Sequence, residues 1–123
     1  VADVNPSSQR TAVDPSALDG LRAFGGDALL KQLVSLFREQ VTVRTAAIHA
    51  GLEAGDCHAV RQAAHALKAS AGQVGAVGMQ EICNALEREA ATNDIAPLRS
   101  LAAELASITP AVDAWLTDRG FPR

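Results

Sequence analysis

One stretch of the chain puts a reactive side chain where packing has no use for it. On a helical wheel at about 100° per residue, Leu67, Ala71, Ala64 and Val74 fall within roughly 40° of Val60, and Ala63 within about 60°. That is a core face. His65 falls at about 140°, well off it. Arg61 and Lys68 stand one turn before and after, and Ala69 and Gly72 border it with almost no side chain. An imidazole has a reference pKa of about 6.5, so its neutral nitrogen is a good nucleophile near pH 7. If it took a phosphoryl group, Lys68 and Arg61 would be at hand to stabilise the added negative charge. Ala69 and Gly72 would let the backbone and active site of another protein approach closely. By the wheel alone, an incidental histidine on a solvated face is the stronger reading, and the local string has to decide.

The elements that must position this face are helices. The chain has 123 residues, with 25 Ala and 13 Leu against 10 Val, 4 Ile, 3 Phe, 1 Trp and no Tyr. Alanine and leucine favour helices, while strands want β-branched and aromatic residues. Residues 1–13 are polar, without periodicity, and read as a flexible N-terminal tail or linker. Asp14-Pro15 reads as an N-cap and first helical position of a short helix carrying Leu18, Leu21 and Phe24, ended by Gly25-Gly26. Asp27 is placed to cap a long second helix, with Leu30, Leu33, Phe37, Val41, Ile48 and Leu52 at helical spacing up to Gly55. The helix of His65 restarts at Asp56. A fourth runs from about Val77 to Ala91, and a fifth starts between Asn93 and Pro97 and reaches Leu116. Pro110 must either kink this last helix or open a new one at Thr109. The connections are short, so neighbours should be antiparallel. The expected fold is all-α: an up-and-down four-helix bundle over 14–118, with a short additional N-terminal helix across one end and a C-terminal tail over 119–123.

Charge and cysteine usage narrow the function classes. The net charge is −3 and the basic residues are scattered, which leaves no nucleic-acid footprint. Two cysteines, Cys57 and Cys83, form neither a disulfide framework nor a metal finger, and a reducing cytoplasmic setting follows as the expectation. No apolar run approaches the roughly 20 residues of a membrane span, and no signal peptide is visible. No direct membrane contact is expected. The start at Val1 suggests a domain cut from a longer protein.

The local string reads His65-Ala66-Leu67-Lys68-Ala69-Ser70-Ala71-Gly72-Gln73-Val74-Gly75-Ala76. It closely resembles the signature of histidine phosphotransfer (HPt) domains, His-x-Leu-Lys-Gly-Ser followed by an apolar-Gly-Ala step. The turns at Gly25-Gly26-Asp27 and Gly55-Asp56, and Cys83, Leu86 and Glu87 on the next helix, extend the resemblance over roughly residues 15 to 117. Ala69 stands where the family usually has glycine, and one methyl on the docking face would tune partner choice. Ala71 replaces a common serine, on the core face.

The resemblance implies a phosphorelay carrier. His65 would accept a phosphoryl group from a receiver-domain aspartyl phosphate and pass it to the aspartate of a response regulator. The Mg²⁺ and most of the catalytic machinery would belong to the receivers, so the chain itself needs no cofactor. It also implies that Glu87, at the edge of its helix's apolar stripe, hydrogen-bonds Nδ1 of His65 and leaves Nε2 as the nucleophile. Arg61, Ala69 and Gly72 would meet the partner. The expected context is a monomeric, cytoplasmic, C-terminal module of a hybrid sensor kinase. The rival is a helical-bundle adaptor that binds receiver-like partners without carrying phosphate; it has no need of His65 or Lys68.

The remaining candidates carry less. His49 and His58 have no matching context and should be exposed. A metal site from Cys57, His58, His65 and Cys83 has a spacing unlike known sites. Gly25-Gly26-Asp27 lacks the Lys-Ser/Thr and the preceding strand of a phosphate-binding loop, so the chain should not phosphorylate itself from ATP. Trp115 reads as a packing residue.

Overall fold

The computed structural model describes residues 13–123; of the expected tail at 1–13, all but Val13 lies outside the described residues. Four helices follow in order: α1 (Pro15–Ala54), α2 (Cys57–Val74), α3 (Val77–Ala90) and α4 (Ile95–Asp118), with no strand among the described residues. The aspartates before α1, α2 and α4 explain where those helices start. Asp14 accepts from the backbone N–H of Ser16, Asp56 from that of Ala59 and Asp94 from that of Ala96, each satisfying a donor that has no partner within the first turn. No described helix is long and apolar enough to cross a membrane.

The connections hold two to four residues, and consecutive helices pack as antiparallel neighbours around one core. Leu30, Val34, Phe37 and Ile48 enter it from α1, Val60, Ala64, Leu67 and Ala71 from α2, Met79, Ile82 and Leu86 from α3, and Leu98, Leu105, Val112 and Leu116 from α4. Burying one such leucine contributes about 1.5–3 kcal/mol, so each helix is held mainly by its apolar stripe. Gly75 makes the sharp turn between α2 and α3. Its φ of 84° suits glycine, and a Cβ there would run into the carbonyl oxygen of Asp14, whose own N–H donates to the Gly75 carbonyl at 2.7 Å.

The structure sharpens one expectation and corrects others. α1 is two helices joined at a kink, because Gly26 (φ 79°, ψ −176°) lies outside helical geometry at the point where the short N-terminal helix is expected to end. Leu18 is buried and Leu21 packs against the core, but Phe24 is 86% exposed. Asp27 does not cap; its carboxylate receives Arg22 Nε at 2.8 Å. In the C-terminal tail over 119–123, Phe121 is buried and its N–H donates to the Leu116 carbonyl. Pro110 sits inside a continuous α4, so the alternative of a new helix at Thr109 falls away.

Candidate functional site

Helix α2 presents two faces of different character. Ala63, Ala64, Leu67 and Ala71 are at most 3% exposed, while the His65 side chain is 68% exposed. The small core residues let α3 lie close, and this closeness brings Glu87, 22 positions along the chain, up against the histidine. Nδ1 of His65 and Oε2 of Glu87 are 2.8 Å apart. A carboxylate can only accept, so Nδ1 carries a proton, and in the neutral ring that leaves the lone pair on Nε2.

Glu87 has a second partner. Lys68 Nζ lies 2.6 Å from Oε1, the oxygen turned away from the histidine. That oxygen is shut off from solvent. The pair with Lys68 first, and the hydrogen bond from His65 after it, hold the Glu87 carboxyl below its ordinary range, against the opposing effect of burial. Beneath them, burial and the neighbouring Glu87 charge push the Cys83 thiol up to about 12, so it stays protonated and unreactive.

His65, Lys68 and Glu87 thus form one connected group. Arg61 and Ala69 are exposed on the same outward side of α2, and no ion pair joins Arg61 to the group. Gly72 does not lie open as the wheel suggests. It is half-buried under the side chain of Gln80 on α3, and a Cβ at Gly72 would stand 2.5 Å from Gln80 Nε2. Sequence reasoning missed Gln80. The available signal was Gly72 itself, because a glycine inside a helix often marks the close approach of another element. His49 and His58 are exposed, and Trp115 packs against the core with the Arg119 guanidinium 5.1 Å from its ring centre.

Comparison with known proteins identifies the family. The family model of the Hpt domain matches residues 32–115, more than half of the chain and all of α2 and α3. The chain belongs to the Hpt domain family. Hpt domains are phosphotransfer carriers that partner with the receiver domains of two-component proteins, and membership gives this chain a histidine phosphotransfer role. No curated protein sequence matches it. Among solved structures, the crystal structure of histidine-containing phosphotransfer protein B (HptB) from Pseudomonas aeruginosa PAO1 is similar, with a TM-score of 0.80 and 24% identity. The match covers 90% of this chain and 96% of that one, a likeness of fold along nearly the whole bundle.

Proposed function

We propose that His65 is the phosphoryl acceptor of this Hpt domain. It takes the group from the aspartyl phosphate of a receiver domain in a hybrid sensor kinase and returns it to an aspartate in the receiver of a response regulator. The observation that carries this reading is the 2.8 Å contact between Nδ1 and Glu87 on a ring that is otherwise open to solvent. Attack forms a bond from Nε2 to phosphorus and breaks the bond from phosphorus to the receiver carboxylate, which leaves with the electron pair. The ring gains positive charge while Nδ1 keeps its proton, and Glu87 stands beside that charge as it develops. The return step reverses each change. Mg²⁺ belongs to the receivers in this scheme. This domain supplies an oriented nucleophile and a surface to dock on.

The test is to mix the domain with a receiver that has been phosphorylated by acetyl phosphate. A label that appears on the domain, is lost in acid and survives alkali supports the reading. A label that never appears, or one stable to acid, refutes it and leaves the adaptor role.

A further inference from the structure

Two cations flank His65, and the structure uses them differently. Lys68 is turned inward: its side chain is 28% exposed, against 68% for His65, and its ammonium sits on Oε1 of Glu87. Arg61, one turn before His65, is exposed and has no ion pair among the described residues. Were Lys68 to leave for a phosphoryl group above His65, it would leave the buried Oε1 of Glu87 with no polar partner among the described residues. It would also free the carboxylate to rotate, and Oε2 would lose its alignment with Nδ1.

We propose that Lys68 acts on phosphotransfer through Glu87, as a positioning residue that keeps Oε2 aimed at Nδ1 of His65, and that Arg61 is the cation facing the phosphoryl oxygens; this rests on the reading of His65 as acceptor. Lys68 and Glu87 then work as one unit. Removing either should do the same damage to the ring, and removing both should do little more. Arg61 works independently of them.

The experiment has two parts. In ¹⁵N–¹H spectra of the unphosphorylated domain, the wild type shows mainly the Nδ1–H tautomer of His65. Lys68→Met shifts the balance several-fold toward Nε2–H, Lys68→Arg restores it, and Arg61→Met leaves it unchanged. In the second part, His65 is phosphorylated by potassium phosphoramidate, a small donor whose nitrogen leaves as ammonia, and ³¹P spectra follow the rate. Lys68→Met slows the wild type about tenfold but slows Glu87→Gln less than about twofold, whereas Arg61→Met slows both backgrounds by the same factor. An equal loss from Lys68→Met in both backgrounds, or a tautomer balance that ignores Lys68, overturns the proposal and returns Lys68 to direct phosphoryl contact. A wild type that takes no label from phosphoramidate or a receiver refutes the acceptor reading and the proposal with it. The two failures are distinguishable, because the tautomer measurement needs no donor.

Discussion

Where α2 meets α3, small and large side chains interlock: Ala64 and Ala71 on one helix, Ile82, Cys83 and Leu86 on the other, none of them exposed, with Gln80 laid over Gly72 at the edge. Where α1 meets α4, the helices leave gaps. A cleft of about 320 Å³ is lined in part by Phe37, Val41, Met79 and Pro110, and a second of about 260 Å³ by Ile48, Ala102, Leu105 and the same Pro110. Pro110, which has no N–H to bond the preceding turn of α4, borders both clefts. What closes the seam is polar. Arg38 Nε donates to Asp113 at 2.8 Å and its terminal nitrogen to Thr117 at 3.1 Å. The difference follows the chemistry. A hydrogen bond between α2 and α3 holds its length only if those helices keep their spacing, and a 1 Å error at a reacting group costs about 100-fold in rate. Nothing at the α1–α4 seam has to meet that tolerance.

The sharpest way to break the comparison is at the histidine. His65→Gln should abolish phosphoryl acceptance and leave stability within about 0.5 kcal/mol, because the side chain is exposed. Labelling with a phosphorylated receiver and helical circular dichroism check both halves. A mutant that still labels moves the acceptor elsewhere, and one that unfolds makes His65 structural.

Packing changes on the two sides should differ next most. Leu67→Ala, in the fully buried face of α2, should cost about 2–5 kcal/mol in urea unfolding and slow transfer. Ala106→Leu, at the exposed rim of the smaller α1–α4 cleft, should change stability by less than about 1 kcal/mol and leave transfer alone. Comparable effects at both seams would erase the distinction between them.

Gly72 tests the edge of the tight seam. A side chain there must displace the flexible end of Gln80, on the side of α2 that the wheel shares with Ala69. Gly72→Leu should keep the melting temperature, helped by the better helix propensity of leucine, about 0.5–1 kcal/mol. It should lower acceptance from a receiver about tenfold while sparing acceptance from phosphoramidate, which needs no docking. Equal losses with both donors would mean that the distortion reaches His65 itself.

The smallest effect is the pH dependence of Glu87. Its folded-state pKa lies below the ordinary 4.5 because of Lys68 and His65. The unfolded chain therefore takes up the proton first as the pH drops, and the stabilisation is complete above 4.5 and fades below it. The melting-temperature gap between wild type and Glu87→Gln should be flat from neutral pH down to that value and close under stronger acid. A gap that closes near neutrality would place the titration on another group.

Much of this protein follows from local rules that a sequence carries openly. Asp14, Asp56 and Asp94 start helices because a short carboxylate can reach the free N–H groups of the first turn, and Gly55 and Gly75 end them because they accept positive φ. The exposure of His65 follows from the 3.6-residue period alone, since any helix that buries Val60, Leu67 and Ala71 must turn it outward. Other features depend on what stands across a gap of a few ångströms, and no local rule reports that. Phe24 reads as a core residue, yet it stands in solvent just before the kink at Gly26; Phe121 reads as a tail residue, yet it finds a place in the core. Gly72 lies on the outward side of α2 by its spacing, and only the approach of α3 sets Gln80 over it. The assignment of Lys68 is of the same kind. Its position beside His65 is a matter of helical period, but its partner is decided by the distance between two helices, and that distance puts Glu87 within its reach.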